Sequence, residues 1–334
     1  VYVGTAARIP GALGGIFRQT VGSDQWELLK KGLPERMDVQ AITIHPTDPS
    51  LIYAGSQNGP YRSRDGGESW EKLPFPDEGL EVWSILMHPR DPRIMYLGTS
   101  PVAIYRSDNG GDSWRKLPRV TSPGRVKMNF PCRVIRLAID PTNPEEIYAG
   151  LEVDGVLRSR DRGETWEDVG DDLVRLAQQT HLKSQIASDT ENEGMLDSHA
   201  LTISSALPGT VFLAVRMGLF RSADRGQTWQ DMQIGRFSPL TYARDVKVSP
   251  HNPNTLVAAS IVEYRPAAVR KFEEVEGKVR EGYIAQQAAE LIAEHRHHRD
   301  ERVLQRVLDH HQPLRQALGT RGAHEVLAQH LEHS

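Results

Sequence analysis

The chain has 334 residues, 25% of them charged and 38% hydrophobic, with a formal net charge of −4. That balance excludes the strongly basic surface of a nucleic-acid-binding domain, and no apolar run is long enough to span a bilayer. A single cysteine, Cys132, excludes an intrachain disulfide framework and fits a reducing compartment, so a soluble, cytoplasmic protein is expected.

The first predicted element is the strand VYVGT at residues 1–5, followed by a unit in which Phe17 stands nine residues before Trp26. The clear repeats start next. Residues 38–74 read as an apolar strand (Gln40 to His45), a Pro-x-Asp-Pro turn, a second strand (Leu51 to Gly55), a third ending at Arg62 and a fourth from Trp70. Four short strands joined by tight turns make one blade of a β-propeller. The unit returns at 81–118, 131–169 and 198–232. Because VYVGT matches the second strand of these units, its sheet needs an innermost strand from elsewhere, and ring closure would place that strand near the C-terminus.

Each clear unit carries the octapeptide S-x-[DN]-x-G-x-[ST]-W. Its members are Ser63, Asp65, Gly67 and Trp70; Ser107, Asn109, Gly111 and Trp114; Ser159, Asp161, Gly163 and Trp166; and Ser222, Asp224, Gly226 and Trp229. The Asp or Asn side chain can accept from nearby backbone N–H groups, Gly supplies a positive φ, and Trp is an apolar wedge between sheets. These residues are therefore expected to hold turns rather than ligands.

Residues 249–260 repeat the turn and second strand once more, and Tyr264-Arg265 stands where a further octapeptide would begin. Beyond that point the strand pattern is lost. Residues 267–334 show helical spacing, as in Val303, Leu304, Val307 and Leu308. They are either a helical appendage or the remnant of a further blade, and no closing strand is visible among them. The expected domains are a propeller at 1–277 and a helical tail at 278–334.

Positions that recur serve packing, so a ligand site is sought where equivalent positions differ. Aligned at the start of the innermost strands, one column reads Gln40, Trp83, Ile135, His199, Arg244 and the next Ala41, Ser84, Arg136, Ala200, Asp245. Innermost strands line the central channel. Trp83, Arg133, Arg136, His199, Tyr242, Arg244 and Asp245 would form an arginine-rich mouth suited to an anionic group. The alternative is that Arg136, Arg244 and Asp245 only satisfy one another across the channel. The long connection 171–198 offers His181, Asp189, Glu191, Glu193 and Asp197, and the tail offers His295, His297, His298, Asp300, Glu301, His310 and His311. Neither has the spacing of a metal site, and solvated charge is the expected reading. No metal or other cofactor is expected.

The four octapeptides resemble the BNR or Asp-box repeat family over about residues 1–265. That superfamily of propellers includes sialidases and other glycoside hydrolases, sortilin-type receptors, and photosystem II assembly factors of the Ycf48 type. The YRSxDxG and HPxDP elements look most like the assembly-factor and sortilin-like branch. A sialidase resemblance would imply an arginine triad, a Tyr-Glu nucleophile couple and an acid/base Asp. Ala7-Arg8-Ile9-Pro10 partly matches the family's R-I-P segment, which would make Arg8 the first arginine, whereas no motif assigns the remaining members. The expectation is an all-β propeller of six units that is more a binding scaffold than an enzyme. It would take an anionic small molecule, a glycan or a partner's peptide at its central face, and could self-associate through an open blade edge. The alternative function is an exo-acting glycoside hydrolase of sialidase type.

Overall fold

The structure, a computed structural model, describes residues 1–6, 14–183, 190–238, 241–249, 251–252 and the backbone of 256–260. Six antiparallel sheets follow one another along the chain. The first holds β1 (Tyr2–Thr5), β2 (Gly15–Arg18) and β3 (Glu27–Leu29). The second holds β4 (Val39–Ile44), β5 (Ile52–Ser56), β6 (Gly59–Ser63) and β7 (Glu71–Lys72). The third holds β8 (Glu81–Met87), β9 (Met95–Ser100), β10 (Ile104–Ser107) and β11 (Arg115–Lys116), and the fourth β12 (Val134–Ile139), β13 (Ile147–Leu151), β14 (Gly155–Ser159) and β15 (Glu167–Asp168). After α1 (Asp171–Ala177) and α2 (Glu191–Leu196) come β16 (Ser198–Ile203), β17 (Val211–Val215), β18 (Gly218–Ser222) and β19 (Gln230–Asp231), then β20 (Ala243–Val248) and β21 (Leu256–Ser260). Within each sheet the strands pair in chain order, so each is a meander, and the innermost strands β4, β8, β12, β16 and β20 pack as consecutive neighbours. This is a β-propeller.

The core lies in slabs between sheets. Ile16 and Leu29 of the first sheet pack with Val39, Ile52, Tyr61 and Trp70 of the second, and Tyr96, Ile104 and Leu117 of the third with Val134, Leu137 and Ile147 of the fourth. Close approach requires glycine on the second strands. A Cβ on Gly55 would lie 2.6 Å from the Val82 carbonyl oxygen, and one on Gly98 2.5 Å from Val134 Cγ1.

The octapeptides form a hydrogen-bonded turn, as their chemistry predicts. Ser63 Oγ donates to Asp65 Oδ1 at 2.8 Å and accepts from Gly67 N at 2.8 Å. Asp65 also accepts from the Ser69 amide and hydroxyl, which holds its carboxyl down at about 2. The other three boxes repeat the Ser Oγ to Gly N contact. The turn has a second task that the repeat pattern conceals. A tyrosine on the preceding sheet donates to the carbonyl of the residue after the box Asp or Asn: Tyr2 to Gly66, Tyr53 to Gly110, Tyr96 to Arg162 and Tyr148 to Arg225. On the fifth sheet the equivalent residue is Phe212, buried against β20 residues Ala243 and Val246.

β1 occupies the second-strand position, as VYVGT predicts, and among the described residues it pairs with β2 alone. The connection 171–198 begins with α1, whose Leu173, Leu176 and Ala177 are buried at the predicted helical spacing. The tail's helical reading, the boundary at 277/278, the histidine cluster and the Tyr264-Arg265 site all lie outside the described residues. No described helix is long and apolar enough to cross a membrane.

Candidate functional site at the propeller axis

Every described innermost strand breaks its ladder at the same place. The register skips one residue between Val39 and Ala41, Val82 and Ser84, Val134 and Arg136, Ser198 and Ala200, and Ala243 and Asp245. The five bulged residues are Gln40, Trp83, Ile135, His199 and Arg244. A bulge releases one residue from pairing and re-aims its side chain, and all five line a single cavity of about 470 Å³. The variable column in the sequence is thus a ring of bulges.

Three arginines reach this cavity, and each is held differently. Arg133 pairs with Glu152 at 3.0 Å. Its guanidinium lies between the rings of Trp83 and Phe130, with centroids at 4.4 and 4.7 Å. Trp83 Nε1 in turn donates to Glu81 at 2.8 Å. Among the described residues the Arg136 side chain makes no hydrogen bond or ion pair, and its Nε is buried. Arg244 stacks on Tyr242, donates to the Tyr242 hydroxyl at 3.2 Å and lies 3.4 Å from His199 Nε2. Neither Arg136 nor Arg244 has a carboxylate partner among the described residues, so the two are not members of a closed ion-pair network.

The His199 ring stacks on Tyr242 with centroids 4.9 Å apart. Burial pushes its pKa down to about 4, with Arg244 and Arg216 acting in the same direction and Asp197 opposing. Behind it, Arg216 donates to Asp197 at 2.5 Å and to Glu193 of α2 at 2.9 Å. The long connection therefore supplies two buried carboxylates, Glu193 and Asp197, that fix Arg216 beneath the cavity. Among the described residues no cluster of acids, histidines and cysteine has the geometry of a metal site.

Six of the seven residues singled out by sequence come together: Trp83, Arg133, Arg136, His199 and Arg244 line the cavity, and Tyr242 backs two of them. Asp245 does not join them. Its carboxylate accepts from the Val246 amide and lies 3.5 Å from Lys247 Nζ. Sequence reasoning passed over Gln40, Ile135, Phe130, Glu152 and Arg216. The first two stood in the aligned column and only the bulge reveals their role, whereas the other three carry no repeat signal. Arg8 lies outside the described residues.

The Sortilin-Vps10 family model, described as sortilin, neurotensin receptor 3, matches residues 58–193. Among solved structures, an ancestral GH74 enzyme is similar at 19% identity over 71% of this chain and 29% of its own, with a TM-score of 0.51. The fold is a β-propeller. Ycf48 from Cyanidioschyzon merolae is similar at 12% identity over 68% of this chain and 73% of its own, with a TM-score of 0.46. Ycf48 bound to a D1 peptide is similar at 15% identity over 64% and 57%, with a TM-score of 0.39. This propeller spans less than a third of the ancestral GH74 enzyme's length. A search of curated proteins finds no match. At these identities the likeness concerns the fold, on which unrelated functions are built.

Proposed function

We propose that this propeller is a non-enzymatic binding scaffold that takes an anionic ligand, free or carried on a partner's peptide, in the cavity at its axis. The observation that carries the reading is the pair of guanidiniums, Arg136 and Arg244, that face one cavity with no carboxylate among the described residues to neutralise them. A guanidinium in a partly desolvated site binds oxyanions through directed N–H groups. The bulges hold the lining residues on strands rather than on loops, which favours a rigid site.

Glycoside hydrolysis needs two carboxyl groups flanking the bond, one as acid and one as base or nucleophile. Among the described residues Glu152 is the carboxylate that lines the cavity, and Arg133 occupies it. The site therefore gives the hydrolase alternative no support. Self-association belongs to the same proposal: β1 is paired on one side among the described residues, and Val1 and Val3 are exposed.

Calorimetric titration of the full chain with a panel of small carboxylates and phosphates tests the scaffold reading. Binding that Arg136→Ala or Arg244→Ala weakens, with an unchanged far-UV spectrum, is expected. Turnover of sialoside or glucan substrates, abolished by Glu152→Gln, would replace it with the enzymatic reading.

A further inference from the structure

The cavity is unbalanced in charge and in hydrogen bonding, both in the same direction. Arg133, Arg136 and Arg244 line it against one carboxylate, Glu152. With Glu152 taken up by Arg133, two positive charges are left without a counter-charge among the described lining residues, and neutral His199 adds none. Among the described residues three buried nitrogens at the cavity, Gln40 Nε2, Arg133 Nε and Arg136 Nε, have no hydrogen-bond partner, while the Glu152 carboxylate is held by Arg133. Buried donors without acceptors are penalised unless something else supplies the acceptor.

The positions of the donors narrow what that acceptor is. Gln40 lies on the second sheet, Arg136 on the fourth and Arg244 on the sixth, with the third and fifth sheets between them. Donors on alternate sheets of a propeller approach the axis from three separate directions. A carboxylate offers two coplanar oxygens and one charge. A phosphoryl monoester offers three terminal oxygens splayed about its ester bond, and carries about −1.5 to −2 near neutral pH. The cavity, at about 470 Å³, is larger than that group alone, and Trp83, Ile42, Ile135 and Leu137 give the rest of it an apolar wall for the organic part of an ester.

The geometry points to a phosphoryl monoester as the group bound at the axis, gripped by Arg136 and Arg244 with the Gln40 amide completing the shell. The inference rests on the central cavity being an anion site. It assigns Arg133 a different part: its charge is already neutralised, so it shapes the wall with Trp83 and Phe130 and leaves the net attraction to the other two.

Phenyl phosphate, benzoate and succinate, titrated calorimetrically into the full chain at pH 7.5, separate the possibilities. Phenyl phosphate should bind at least tenfold more tightly than either carboxylate, and Arg136→Gln and Arg244→Gln should each cost it at least tenfold. Glu152→Gln, which frees Arg133, should tighten it. Its affinity should rise between pH 5 and 7, as the second phosphate proton leaves near pH 6, whereas that of benzoate should not. Benzoate or succinate binding as tightly as phenyl phosphate, with the arginine dependence kept, would overturn the phosphoryl assignment and leave the anion site standing. Binding indifferent to both arginines, or none at millimolar concentration in a chain with native far-UV and thermal signatures, would remove the site as well. Free O-phosphoserine compared with a phosphoserine-centred peptide distinguishes a metabolite from a partner protein as the source, and tighter binding of either one than of its unphosphorylated counterpart supports the assignment.

Discussion

Arg133 is clamped to Trp83, its guanidinium carbon 4.4 Å from the indole centroid, and Phe130 closes the other face at 4.7 Å. Cation–π contacts of this kind contribute about 0.5–2 kcal/mol as they become desolvated. Phe130→Ala is expected to cost on the order of 1 kcal/mol in urea unfolding, while Phe130→Tyr, which keeps a ring face, should cost little. Equal losses in the two variants would show that the ring face is not what stabilises the contact.

Ser63 sits at the centre of its box turn, almost completely buried, donating to Asp65 and accepting from Gly67. Ser63→Ala leaves the Gly67 N–H without its acceptor and should destabilise the protein by about 1–3 kcal/mol. Anion affinity per folded molecule should stay as it was. Denaturant titration gives the first quantity and calorimetry the second; a variant with wild-type stability and lost binding would make the box a ligand site.

Tyr53→Phe removes the hydroxyl that ties the second sheet to the Gly110 carbonyl at 3.0 Å. About 1 kcal/mol is the expected loss, a typical net value for one hydrogen bond. Hydrogen exchange should show faster opening of the amides at the junction of the second and third sheets than elsewhere. Uniform acceleration across all sheets would argue against a local staple.

Acid should weaken the fold through His199 before it touches the boxes. Burial holds the imidazole at about 4 in the folded protein, against about 6.5 in an unfolded chain. The unfolded state therefore takes up the proton first. The stability that neutral His199 contributes is complete above pH 6.5 and is lost as pH falls through 4. His199→Gln should flatten the decline in Tm across that window. Asp65, held at about 2 chiefly by Ser69, acts only below the ordinary carboxylate range, so the variant and wild type should converge in slope there. A wild-type Tm that does not change between pH 6.5 and 4 would count against a buried neutral imidazole.

Among the described residues the inner edge of β1 has no strand partner, which predicts concentration-dependent association, because an unpaired edge is a template for another chain. Light scattering should detect dimers at high concentration that Val3→Lys, which places a charge on the exposed Val3 position of this edge strand, suppresses. A strict monomer, with a strand from the C-terminal region paired beside residues 1–5, would show that the ring closes on itself.

The propeller was legible because its determinants are local. Each box is a turn whose donors and acceptors lie within a few residues of one another, so Ser63, Asp65 and Ser69 announce themselves in sequence. The aligned column from Gln40 to Arg244 was legible too, since comparing the repeats cancels whatever packing requires of every unit. Pairings outside the turns were not. Glu152, just after β13, meets Arg133, just before β12, and Glu193 reaches Arg216 from a helix that interrupts the repeat. Asp245 follows its bulge as Arg136 does, but a short carboxylate turns to the Val246 amide where a long guanidinium reaches the cavity.

Among the described residues the repeated bulge gives five positions that inherit the geometry of the ring without inheriting its constraints. A residue that pairs with no ladder partner can be exchanged for another without disturbing the strand that bears it, and Gln, Trp, Ile, His and Arg already share that one place. The scaffold thus keeps shape and chemistry on separate ledgers of the same sequence. A new recognition surface could be written into it one unit at a time while the sheets fold as before.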